Sequence, residues 1–263
     1  MNPSRIIFRS AAIGFAELPT TYTVRSWLGG WVVRLTFQVV FFTLLGQLAG
    51  STATAQYVLL GNVVALVAVD AMYVATTAAT ELYQNTFPMV VASPTNMGLV
   101  YLGRGLHWAC SGVASACLVF VGTSLVFPVP WHWWMVLPTV PLLALVGLST
   151  YLYACVAAAL ALRHAKFRTV FANLGFLLLA TFCGVNVPIS FWPAPVSLIA
   201  ELLPLTHGLS AVRAAVAGDP LSIVLTEALA EAGVAVGWAV LVLLLFERLA
   251  ARGRRDGSLN FTS

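Results

Sequence analysis

Tyr57 to Ala75 reads YVLLGNVVALVAVDAMYVA, an almost unbroken apolar run whose one charged residue is Asp70. A helix needs about 20 mostly apolar residues to cross a bilayer, and this run has that length and character. Five further stretches read the same way: Leu28 to Leu48, Val100 to Val121, Met135 to Leu160, Thr169 to Val185 and Ile223 to Phe246. The fifth of the six is at the short limit. The whole chain fits this pattern, with 60% hydrophobic and only 8% charged residues across 263 positions. A soluble domain carries about a quarter charged residues. The expectation is an all-α integral membrane protein of six transmembrane helices.

The basic residues between the runs orient them. Arg5, Arg9, Arg25, Arg104, Arg163, Lys166, Arg168, Arg248, Arg252, Arg254 and Arg255 all fall on one side if both termini are cytoplasmic. Arg34 lies close enough to that side to snorkel, which leaves Arg213 as the one basic residue outside. Such a bias is the positive-inside pattern. The aromatics agree: Trp27 and Trp31 read as the inner belt, and Trp131, Trp133, Trp134 and Trp192 as the outer one. The pI of about 9.1 then reflects orientation and anionic lipid headgroups, with no nucleic acid implied. The first apolar run is of full span length and contains Arg34, unlike the short core of a cleaved signal, so the N-terminus is expected to stay attached. Cys110, Cys117, Cys155 and Cys183 lie inside predicted spans without a C-x-x-C pair and read as packing residues.

Three segments do not span. Residues 1–27 contain an interfacial helix from Arg5 to Leu18, with Ile7, Phe8, Ala11, Phe15 and Leu18 on one face and Ile6 and Ile13 on the polar side. Residues 76–98 are too polar to span and form a cytoplasmic helical segment broken by Pro88 and Pro94. Residues 186–220 stay apolar, yet Pro188, Pro193, Pro195 and Pro204 divide them, with a short helix over Leu209 to Ala217. Irregular backbone at membrane depth must be buried in protein or line a cavity, so this segment reads as extracellular and re-entrant, or interfacial.

Chemical motifs are sparse. The only Lys, Lys166, sits between Ala165 and Phe167, so the chain has no P-loop. There is no H-E-x-x-H among His107, His132, His164 and His207, and no G-x-S-x-G. Asp70 reads as the one acid deep in a span. It should face away from lipid, either as a pathway acid or as a partner of Arg34 or Arg104. Gly46 with Gly50 and Gly233 with Gly237 each form G-x-x-x-G, the second placed to let span six pack closely.

Two stretches resemble one family. The first is Glu81-Leu82-Tyr83-Gln84-Asn85-Thr86-Phe87, then Val91-Ala92-Ser93-Pro94 and Leu102-Gly103-Arg104-Gly105-Leu106. The second is Pro188-Ile189-Ser190-Phe191-Trp192-Pro193, then Leu203-Pro204-Leu205-Thr206-His207 and Ala211-Val212-Arg213-Ala214-Ala215-Val216-Ala217-Gly218. With six spans around them, they resemble an ABC-2 type transporter permease, the membrane subunit of bacterial ATP-driven exporters. Asn85 stands where that family has Gly, and Pro88 where it has an acid.

The resemblance implies a division of labour. Two cytosolic ATP-binding cassette subunits would bind ATP and Mg, and this chain would hold no cofactor and catalyse nothing itself. A second permease copy, or a related permease, would face it across the pathway. Glu81, Leu82, Asn85, Thr86, Phe87, Ser93, Pro94 and Arg104 would couple to the ATPase. Pro188, Phe191, Pro193, Pro204, Thr206 and Arg213 would form the extracellular gate. Phe41, Phe42, Asp70 and Tyr73 are pathway candidates, suited to a drug, natural product or lipid. Export of a lipid-linked glycan, or a proton-coupled carrier built on Asp70, are the alternatives.

Overall fold

The computed structural model describes residues 2–21, 23–83 and 95–256. All regular structure among them is helical. Five helices are long and apolar enough to cross a membrane, and six if one bent pair counts as a single span.

Helix α1 (Pro3–Thr21) precedes α2 (Val24–Ala49), which after a first turn over Val24–Ser26 is π-helical over Trp27–Val32. The quoted apolar run forms α3 (Thr52–Ala71) and continues after a turn at Met72 as α4 (Tyr73–Tyr83). Then come α5 (Met97–Arg104) and α6 (Leu106–Val126), which together form the next crossing. Helix α7 (Val136–Arg163) is the longest inner helix, and α8 (Arg168–Phe182), over the fifth expected span, has only 15 residues and is not among the five. Short α9 (Ala194–Glu201) and α10 (Thr206–Ala217) meet at 82°, and α11 (Leu221–Asp256) closes the chain.

Apolarity all round predicts a helix buried on every side. Over its most apolar stretch the α3–α4 crossing is 94% buried, against 17% for α2 and 22% for α11. Helices α3 and α7 therefore form the inner pillars, and α2, α8 and α11 form the outer wall. Gly46 lets α2 approach α3 closely, with the Ala55 Cα about 3.2 Å from where a side chain would begin. The second G-x-x-x-G behaves differently: among the described residues nothing packs against Gly233 or Gly237.

Helix α1 docks on α5, but through the side that sequence periodicity marks as polar. Ile6, Ser10 and Gly14 are buried, while Phe8 and Phe15 are exposed. Gly14 and Gly103 permit this crossing, since a side chain on either would collide with backbone of the other helix. Arg104 adds an ion pair to Glu17 at 2.7 Å. Of the apolar face assigned from sequence, Phe8 and Phe15 are left outward, while Ile7, Ala11 and Leu18 are half-buried.

The aromatic belt also needs correcting. Trp133 and Trp134 are exposed as a belt requires, but Trp31 and Trp131 are buried. The π-helical turn rotates Trp27 and Trp31 inward, where polar partners wait for both indoles.

Candidate functional site: a polar cleft and two buried carboxylates

Asp70 lies on α3 with no solvent exposure, and three side chains serve it. The Trp31 indole N–H donates to Oδ1 at 2.7 Å. Ser111 and Ser115, one turn apart on α6, donate to Oδ2 at 3.0 and 3.1 Å. Trp27 donates in turn to Ser111 Oγ at 3.2 Å. Neither arginine expected as a direct partner takes the carboxylate: Arg104 pairs with Glu17, and Arg34 lies over the Trp31 ring, 4.8 Å from its centroid. Trp31 therefore bridges acid and cation, holding one by its N–H and the other by its face.

Arg34 lines a cleft of about 130 Å³ between α2, the α3–α4 turn and α8. Gln38, Tyr73, Thr76, Thr169 and Asn173 contribute the other polar side chains, and Met72 and Phe176 are among the apolar ones. Asn173 and Thr169 are exposed, and Tyr73 and Gln38 are half-buried. Of the four pathway candidates, Tyr73 lines this cleft and Asp70 is set behind it. Phe41 and Phe42 lie further along α2, packed edge to face, with Phe41 exposed.

Asp70 is not alone among acids buried in a span, as sequence reading has it. Glu231 on α11 is equally buried. Its Oε1 accepts from Ser149 Oγ and from the Leu205 N–H, the latter at 3.0 Å, and its Oε2 accepts from the Gly208 N–H at 2.9 Å. The carboxylate thus caps the start of α10, where the first N–H groups of a helix lack partners and the dipole favours an anion. The cap explains why α10 begins at Thr206, three residues before the start expected from sequence. Leu205 supplies no side-chain cap and takes the unfavourable φ of 84°. One turn earlier on α11, Glu227 meets His207 Nδ1 at 2.9 Å.

The six outer-signature residues divide into two groups. Pro188, Phe191 and Pro193 are exposed. Pro204 and Thr206 are buried, and Thr206 donates to the Ala200 carbonyl at 2.6 Å. Arg213 folds over the Tyr57 ring at 3.6 Å and donates to the Gly184 carbonyl at 2.9 Å. It thereby satisfies carbonyls just past the C-terminal end of α8, where a cation is favoured. Gly218, in the left-handed conformation at φ 78°, ends α10, with the Asp219 N–H returning to the Ala214 carbonyl at 2.9 Å.

The proposed coupling residues are only partly in view. Glu81 and Leu82 lie on the last turn of α4, and Arg104 ends α5. Asn85, Thr86, Phe87, Ser93 and Pro94 lie outside the described residues. Among the described residues no three His, Cys, Asp or Glu side chains converge as a metal site. Compared with known proteins, the sequence matches no family model and no curated protein.

Proposed function

We propose that the chain is the membrane subunit of an ATP-driven exporter in a bacterial cytoplasmic membrane, moving an amphipathic small molecule along a path shared with a second copy. The observation that carries this reading is the polar cleft on the outer wall. Arg34 and Gln38 on α2, and Thr169 and Asn173 on the shorter apolar helix α8, reach the surface of the subunit. Polar and charged groups within a span belong against protein or a water-filled cavity, because lipid offers them no partners. A second copy apposed across this face encloses the two clefts as one passage.

Other features support the same reading. Both termini would be cytoplasmic, α1 would lie along the inner surface with Phe8 and Phe15 in lipid, and bent α9–α10 would form the re-entrant outer gate. The chain has no P-loop, so ATP and Mg would belong to two cytosolic cassette subunits docked at residues 76–98. A proton carrier built on Asp70 has less support, since that acid is buried behind Trp31 with both oxygens hydrogen-bonded.

Co-expression with an ATP-binding cassette protein encoded in the same gene neighbourhood, where one is found, tests the proposal. The two should co-purify, and Glu81→Arg with Thr86→Arg should lower transport-stimulated ATP hydrolysis. An ATPase that neither co-purifies nor responds to these changes overturns it.

A further inference from the structure

The cleft is one-sided in charge. Arg34 brings a guanidinium, Gln38 and Asn173 bring amides, and Thr169 brings a hydroxyl, yet among the described residues no acid lines it. The nearest carboxylate on α3, Asp70, has its oxygens engaged by Trp31, Ser111 and Ser115. Among the described residues Arg34 forms no ion pair, and it rests on the Trp31 ring. That contact leaves the N–H edge of the guanidinium available, and this edge matches the paired oxygens of a phosphate or carboxylate.

Place and shape agree with the charge. Thr76 is close to the end of the α3–α4 crossing, and Thr169 immediately follows Arg168 at the start of α8. The cleft is therefore near the ends of α7 and α8 that the basic turn of Arg163, Lys166 and Arg168 joins. Phe41 follows Arg34 by seven residues and Gln38 by three, so all three share one face of α2. Phe41 is exposed and could lie along an alkyl or ring system. A volume of about 130 Å³ admits a head group, with the rest of the molecule outside.

We propose that the cleft is a subsite for the anionic head group, phosphate or carboxylate, of an amphipathic molecule. Arg34 is its charge partner, and Gln38, Asn173 and Thr169 are neutral donors. Asp70 is a positioning residue: through the Trp31 indole it fixes the ring on which Arg34 lies. The inference rests on the exporter reading for its biological meaning, because that reading puts the cleft on the transport path. The same chemistry could be met by cargo or by an anionic lipid.

The test uses the full chain in maltoside micelles, titrated with dodecyl phosphate and, as a matched cation, dodecyltrimethylammonium, with binding read by calorimetry. Dodecyl phosphate should bind and the ammonium should not. Arg34→Gln should weaken phosphate binding at least about tenfold, the loss expected for a hydrogen bond to a charged group. Arg34→Lys should fall between, keeping charge without the fork. Asp70→Asn and Trp31→Phe should each weaken binding, and their combination should be no worse than the stronger single change, as a shared positioning role requires. Arg9→Gln, on the distant N-terminal helix, should leave binding unaltered.

Melting temperature checks folding, and Asn173→Leu serves if Arg34→Gln does not fold. Equal binding of both detergents overturns the proposal, as does undiminished phosphate binding in the folded Arg34 or Asn173 variant. Nanodiscs of phosphatidylcholine alone, or equimolar with phosphatidylglycerol, assign the source. Competition by phosphatidylglycerol assigns the subsite to lipid, and undisturbed binding assigns it to cargo. No ATPase enters the assay, so failure here leaves the exporter reading standing, and failure to find the ATPase leaves this result standing.

Discussion

Asp70 and Glu231 are both carboxylates without solvent exposure on apolar helices, yet they are held by different kinds of donor. Asp70 takes three side-chain donors, from one tryptophan and two serines. Glu231 takes one serine hydroxyl and two backbone N–H groups. A hydroxyl can turn to another acceptor when its partner is lost, whereas a backbone N–H at a helix start cannot. Asp70 therefore tunes the position of movable side chains, while Glu231 fixes where α10 begins.

The largest effect should come from breaking the second arrangement. Glu231→Ala strands the Leu205 and Gly208 N–H groups together, and each orphaned buried donor costs about 1–3 kcal/mol. The variant should show the steepest fall in thermal unfolding temperature in micelles, along with new proteolysis near residues 200–210. Glu231→Gln keeps one acceptor oxygen and should lose less. A Glu231→Ala protein that melts like its parent would contradict the capping role.

Asp70→Ala should cost less, on the order of 1–3 kcal/mol, mostly for the Trp31 N–H. Ser111 and Ser115 can turn to helix carbonyls four residues back, as Thr43 and Thr150 already do at 2.8 and 2.7 Å. The comparison sharpens if Ser111→Ala and Ser115→Ala, added to Asp70→Ala, change the unfolding temperature no further. It breaks if Asp70→Ala is the more damaging of the two acid deletions.

The same contrast explains what could be read beforehand. The apolar runs specify the crossings because burial needs only composition and length, and α3–α4 is the clearest case. Asp70 stands out because no other charge interrupts its run. Glu231 was missed although Glu227 and Glu231 break the last run at helical spacing, a visible sign of a polar face. Its partners are backbone groups, which have no letter in a sequence. The proline-rich segment was legible as broken, but the start of α10 was not, because its cap lies 26 positions away. The docking of α1 on α5 is not legible in the sequence, because Gly14 and Gly103, rather than large apolar residues, make the tight contact.

Arg213 is intermediate between the two acids: it is a side chain, but its partners are carbonyls. Arg213→Gln removes the fork that reaches Gly184 and the stacking on Tyr57, a cation–π contact worth about 0.5–2 kcal/mol. The expected outcome is a stability loss of that order. Arg213→Lys should recover part of it, as a charge that reaches the carbonyls without the planar stack. Tyr57→Phe, which deletes the hydroxyl donated to Gly184 at 2.8 Å, should cost about 1 kcal/mol. If Arg213→Gln costs nothing while Tyr57→Phe does, the turn is held by the tyrosine hydroxyl alone.

The smallest effect belongs to the acid that is not buried. Glu17 meets Arg104 at 2.7 Å, but its side chain is 49% exposed. Water already solvates the carboxylate, and pairs near the surface contribute about 0–1 kcal/mol. Glu17→Gln should therefore shift the unfolding temperature only slightly, and the shift should shrink in high salt as the charges are screened. Glu231→Ala and Asp70→Ala should keep their full effects at the same salt, because ions do not reach a carboxylate sealed among helices. Measuring all three variants at low and high salt separates burial from charge as the source of stability. A salt-insensitive Glu17→Gln would mean that α1 is held by something other than this pair, such as the Gly14–Gly103 crossing or the edge contact of Phe15 with His107.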